Sequence, residues 1–139
     1  MRFLDTNILL YSISTAREER AKRDVARKLL DADDNALSVQ VLQEFYVQAT
    51  RAGRPDALPH DVAVALIEAW LRFPVQDITL AIMSDALAIK QTAQLSYWDA
   101  AIIAAARALD CAELLSEDLP QGQTIAGVTI VNPFRAAAA

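Results

Sequence analysis

The chain has 139 residues, 54% of them apolar, with three Gly, five Pro and a net charge of −5. That length and composition fit one ordered domain with a substantial core, and exclude a disordered or collagen-like chain. The lone cysteine, Cys111, excludes an internal disulfide and is expected to pack in the core, and the net negative charge argues against simple nucleic-acid binding.

Residues 2–5, RFLD, read as a short strand that turns into a helix over Thr6–Ser12. Arg2 and Asp5 break any signal-peptide pattern there, and no apolar run approaches the roughly 20 residues of a membrane span, so a cytoplasmic location is expected. Residues 17–31 read as an amphipathic helix, with Val25, Ala26, Leu29 and Leu30 on one face and Arg23, Arg27 and Lys28 mainly on the other. Charge is uneven around it. Residues 16–30 hold six basic and three acidic side chains, whereas the other segments hold seven basic and fifteen acidic. ALSV, 36–39, reads as a buried strand, after which Ser38 caps a helix to about Arg51, stopped by Gly53 and Pro55. Val62, Leu66, Ala69, Trp70 and Phe73 recur at helical spacing over 60–72. FPVQDI, 73–78, is a strand or connector; Thr79 caps a helix through Ala93, and Ser96 caps an alanine-rich helix through Ala108. AELLS, 112–116, and GVTIV, 127–131, read as strands, and the alanines at 136–139 read as a tail on a single domain of residues 1–135. Strands alternating with helices give an α/β fold, a parallel sheet with helices on its faces.

In such a sheet, ligands gather beyond the carboxyl ends of the strands. Four carboxylates belong there. Asp5 ends the first strand, Glu44 lies in the second turn of the helix after ALSV, Asp99 lies in the first turn of the helix after Ser96, and Asp118 follows AELLS. Each has a plain structural alternative. Asp5 serves as a helix cap, Asp99 as the third residue of a capping box with Ser96, and Asp118 as a turn residue before Leu119 and Pro120. Glu44 serves as a solvated helix position, although the apolar Val41, Leu42 and Phe45 around it make a partner necessary. Convergence on one sheet edge weighs more, because clustered like charges repel unless cations lie among them.

Hard divalent cations take oxygen ligands, and Mg²⁺ or Mn²⁺ is typically held by a few carboxylates, waters and substrate phosphates. The single histidine, His60, excludes paired-histidine chemistry and a His/Cys zinc site. No G-x-x-x-x-G-K-[ST] loop and no G-x-S-x-G elbow occur, which argues against nucleotide hydrolysis of that type and against a serine hydrolase.

Together, FLDTNILLY at 3–11, the Glu44 of LQEFYV, LSYWDAAIIAAA at 95–106 and LLSEDLPQGQTIAGVTIVNPF at 114–134 resemble the PIN domain, most of all its VapC-type branch. The resemblance spans nearly the whole chain in the right order and spacing. It implies a three-layer α/β/α sandwich with a central parallel sheet. It also implies a Mg²⁺-dependent (Mn²⁺ possible) endoribonuclease, the toxin half of a toxin–antitoxin pair. Asp5 and Asp99 would be the main metal ligands, with Asp118 and Glu44 completing the catalytic pocket partly through water. Thr6 and Asn7 would orient the site, and Ser116 stands where many relatives carry Thr. Glu117 is an extra carboxylate with no assigned role.

The resemblance further implies an RNA substrate, a small cognate antitoxin that occludes the groove, and a homodimer. Leu66, Trp70 and Phe73 are either an apolar dimer face or core. The basic face of 17–31, with Arg51 and Arg54, either holds the RNA backbone or is an ordinary solvated surface. Tyr97 and Trp98 either stack a base or, the favoured reading, pack beside Asp99 in the core. The rival to catalysis is a silent PIN-like domain that binds RNA or protein. A receiver-type acidic pocket is disfavoured because the last lysine, Lys90, falls mid-helix.

Overall fold

The computed structural model describes residues 1–135; the alanines expected as a tail at 136–139 lie outside the described residues. Strand β1 (Arg2–Leu4) passes through Asp5 directly into α1 (Thr6–Ser12). Phe3 and Leu4 are fully buried because β1 lies inside the sheet, paired in parallel with β2 (Asn35–Ser38) and with β4 (Glu113–Leu115). A strand covered on both faces needs an apolar run rather than an alternating one. The register sets Leu4 opposite Leu115, which places Asp5 beside Ser116 at the carboxyl edge.

The sheet continues outward to β3 (Val75–Gln76) on one side, and to β6 (Val128–Val131) and β5 (Thr124–Ile125) on the other, in the order β3-β2-β1-β4-β6-β5. Every pairing is parallel except β5 with β6. That hairpin was not foreseen. Its two-residue connection, Ala126 and Gly127, has φ of 52° and 83°, the positive values that a tight hairpin turn of the mirror-image type demands. Ala-Gly is a poor signal for such a turn, since alanine seldom adopts it.

The helices are α2 (Arg20–Asp31), α3 (Val39–Ala49), α4 (His60–Trp70), α5 (Leu80–Thr92) and α6 (Tyr97–Ala108). The expected helix over 17–31 is preceded by a 3₁₀ turn, Arg17–Glu19, and becomes α-helical only at Arg20. The three expected caps are present. Ser38 accepts the Val41 N–H at 3.3 Å, Thr79 the Ile82 N–H at 3.1 Å and Ser96 the Asp99 N–H at 3.1 Å. Helices α1 to α4 pack on one another, and α5 packs on α6, which lies against the sheet. This is the α/β/α sandwich, with a mostly parallel sheet.

In α6 every residue from Ala100 to Ala106 is buried, so small side chains let this helix sit close to the strands. Trp70 packs edge-on against Phe45, with ring centroids 4.7 Å apart. Trp70 and Phe73 are buried and Leu66 packs against the same core, so these three are core rather than a dimer face. Cys111 is buried, as expected.

Candidate active site

Asp5 caps α1, its Oδ1 accepting the Thr6 N–H at 2.7 Å. Its other oxygen, Oδ2, accepts the Ser116 hydroxyl at 2.6 Å, a pairing that follows from the parallel register of β1 and β4. Ser116 Oγ in turn accepts the Asp118 N–H at 3.1 Å and the Asn7 Nδ2 at 3.2 Å, and the same Asn7 nitrogen donates to Asp118 Oδ2 at 3.1 Å. On the other side of α1, the Thr6 hydroxyl donates to Glu44 Oε1 at 2.6 Å. The first two residues of α1 therefore tie the acid of α3 to the acid after β4.

Asp99 sits in the first turn of α6 above its Ser96 cap. Asp5, Glu44, Asp99 and Asp118, with Thr6 and Asn7, line one cleft of about 470 Å³ whose apolar walls include Leu10, Val47 and Ile102. The expected convergence of four acids on the carboxyl edge of the sheet is what the geometry displays. Asp5 is both a helix cap and a cleft residue, and Asp99 lines the cleft above its own Ser96 cap.

Electrostatics follow from this crowding. Asp5 is only 5% exposed, and burial is the main cause that pushes its carboxyl from 3.8 up to about 6. The Ser116 hydroxyl and Thr6 N–H pull it back down, while the charges of Glu44 and Asp118 push it further up. Burial also raises Asp99, opposed by Ser96 and reinforced by Asp118 and Glu44. A cleft that raises the carboxyls of Asp5 and Asp99 is one that a cation would relieve.

The donor set tests what that cation is. Among the described residues no three Asp, Glu, His or Cys side chains gather as a ready-made metal-ligand group. The cleft offers instead the carboxylate oxygens of Asp5, Glu44, Asp99 and Asp118, the donor type that hard divalent ions take together with water.

Some expectations are corrected. Trp98, favoured as core, is 63% exposed, because it points away from the α6 face that carries the buried alanines. The basic face is partly engaged inside the fold. Lys22 pairs with Glu117 at 3.0 Å, Arg27 Nε donates to Ser12 O at 2.9 Å, and Arg54 Nε to Asp56 Oδ1 at 2.8 Å. Lys28 and Arg51 remain exposed. Gln40 was missed. Its Nε2 bridges Glu44 Oε2 at 3.3 Å and the Trp98 carbonyl at 3.1 Å, and its place four residues before Glu44 on one helix was a readable signal.

The PIN domain family model matches residues 2–121. A toxin–antitoxin complex from Klebsiella pneumoniae includes a similar chain, 25% identical, covering 96% of this chain and 98% of that one, with a TM-score of 0.69. FitAcB from Neisseria gonorrhoeae superposes with a TM-score of 0.71 at 16% identity, over 97% of this chain and 99% of that one. VapC20 of Mycobacterium tuberculosis, a sarcin–ricin-loop-cleaving toxin, does so with a TM-score of 0.63 at 21% identity, over 85% and 92%. No curated protein sequence matches the chain significantly. With the family model covering most of its length and the four-acid cleft at the edge of its sheet, the chain belongs to the PIN domain family.

Proposed function

We propose that residues 1–135 form one unit that acts as a divalent-metal-dependent endoribonuclease, the toxin of a toxin–antitoxin pair working in the cytoplasm. One observation carries this reading. Four carboxylates from four separate segments line a single cleft, and burial and mutual repulsion raise Asp5 and Asp99 there. Asp5 and Asp99 would hold the metal directly, with Asp118 and Glu44 completing the set partly through water. A bound Mg²⁺ or Mn²⁺ supplies positive charge for a phosphodiester in transfer and acidifies water.

The chain's own residues do the remainder. Ser116 and the Thr6 N–H fix both oxygens of Asp5. Thr6 holds Glu44 with one oxygen turned to it, and Asn7 holds Asp118. A carboxylate of the cleft accepts the proton of the attacking water, in line with a leaving 3′ oxygen, giving 5′-phosphate and 3′-hydroxyl ends. Exposed Lys28 and Arg51 and the exposed indole of Trp98 beside Asp99 are available to RNA phosphates and bases.

The partners proposed are a cognate antitoxin that covers the cleft, a reading supported by the similar chain found in a toxin–antitoxin complex from Klebsiella pneumoniae, and a second copy of this chain. With Trp70 and Phe73 in the core, the dimer face moves to α5. Leu80, Met83 and Leu87 lie at i, i+3 and i+7, each 44% exposed or more, beside Ile78 and Trp98. Together they form an exposed apolar stripe suited to the centre of an interface, which usually takes about 800 Å² from each partner.

The test is incubation of total cellular RNA with purified protein in Mg²⁺, Mn²⁺ or EDTA, beside Asp5→Asn and Asp99→Asn. Discrete metal-dependent fragments, absent with both variants, are expected. No cleavage by folded protein with either ion, and no ion bound by calorimetry, would leave the silent RNA- or protein-binding domain as the better reading.

A further inference from the structure

Glu117 stands between Ser116 and Asp118, yet its carboxylate leaves the cleft. Oε1 accepts the Tyr11 hydroxyl and the Lys22 ammonium, each at 3.0 Å. Lys22 also reaches the Tyr11 oxygen at 3.4 Å and lies 5.0 Å from that ring's centroid. The ring itself is steadied edge-on by Phe134, with centroids 4.9 Å apart. Oε2 is buried and has no hydrogen-bond partner among the described residues. A half-satisfied carboxylate is costly to hide, and the ion pair with Lys22 offsets part of that cost while fixing where Glu117 points.

What it secures is the chain at 116–118, gripped from two sides. Asn7 takes one side. Its Oδ1 accepts the Glu117 N–H at 3.4 Å while its Nδ2 holds Ser116 Oγ and Asp118 Oδ2. Tyr11, four residues on and so on the same face of α1, takes the Glu117 side chain together with Lys22 of α2. We propose that Lys22, Tyr11 and Glu117 form a lock that positions Ser116 and Asp118 at the acidic cleft. In this lock Glu117 is an anchor, not a fifth ligand. The proposal deepens the cation-binding reading above and rests on it for its metal readout alone.

Position and bulk charge make opposite predictions. If Lys22 acted only through its charge, its loss would make the cleft more negative and tighten a divalent cation. As a positioning residue, its loss frees Glu117, loosens Asp118 and weakens the cation. Partners of this indirect kind typically alter metal affinity 10- to 100-fold.

The experiment compares the full chain with Lys22→Met, Lys22→Arg and Tyr11→Phe by amide hydrogen exchange and by Mn²⁺ titration calorimetry. Lys22→Met is expected to speed exchange at the Asp118 amide about tenfold, leave core amides such as that of Ile103 unchanged, and weaken Mn²⁺ about tenfold. Lys22→Arg, which keeps charge and donors, should recover most of both. Should Lys22→Met fail to fold, the uncharged change Tyr11→Phe carries the same two readouts. Unchanged Asp118 exchange, or Mn²⁺ bound as tightly as by the wild type or more tightly, overturns the lock. Faster Asp118 exchange in a wild-type background that binds no Mn²⁺ supports the lock and refutes the cation reading instead.

Discussion

Asp5→Asn should make the metal-free protein more stable while removing the proposed RNA cleavage. Burial and neighbouring charges raise the Asp5 carboxyl from 3.8 to about 6. At about 1.4 kcal/mol per pK unit, holding it ionised at pH 8 costs the fold about 3 kcal/mol. Asparagine keeps the acceptor for the Thr6 N–H and is an equally good cap. It loses the acceptor that now faces the Ser116 hydroxyl, and Ser116 Oγ already takes two other donors, so about 1 kcal/mol is returned. The net gain is about 2 kcal/mol, or roughly 6 to 8 °C in melting temperature for a chain of this size.

The sign with pH follows from linkage. The folded value lies above the unfolded one, so between them the folded state holds a proton that the unfolded state has released. Wild-type stability therefore falls as pH rises from about 4 to 6 and stays low above that. The variant has no such loss, and its advantage should vanish near pH 4. Urea unfolding of both proteins in EDTA at pH 4 and pH 8 measures it. A variant less stable than the wild type at pH 8, or a difference independent of pH, would refute the reasoning.

Two further outcomes are expected. Thr6→Val removes the hydroxyl 2.6 Å from Glu44 without changing side-chain size, and should cut the rate of RNA cleavage at least about tenfold while the urea midpoint shifts by no more than about 1 kcal/mol equivalent. Leu80→Glu with Met83→Glu places like charges on the exposed stripe of α5, and sedimentation should show a monomer for the variant and the proposed dimer for the wild type; an unchanged distribution would refute this dimer face.

Much of this protein was readable locally. Ser38, Thr79 and Ser96 cap their helices through bonds to residues three positions on, so sequence alone suffices to place those helix starts. The buried run at Phe3 and Leu4 and its stop at Asp5 mark a strand end for the same reason, since an interior strand must be apolar until its backbone emerges. The four acids were each legible as residues at strand or helix ends.

What joins them was not legible. The register of β1 against β4 brings Ser116 to Asp5 across 111 positions, and only the paired backbones decide it. Nor does an isolated Glu117 say which way it points. That direction depends on Lys22, 95 residues away, arriving on α2 packed against α1. Trp98 was misread because a bulky aromatic beside an apolar run suggests burial. The rotation of α6 against the sheet turned its alanines inward instead, leaving the indole outside. Sequence by itself determined the elements, their caps and the inventory of acids, all set by interactions within a turn or two. Tertiary structure alone decided how those acids are held together, that Glu117 is anchored away from them and which apolar side chains stay exposed, because those depend on the register and packing of segments far apart in the chain.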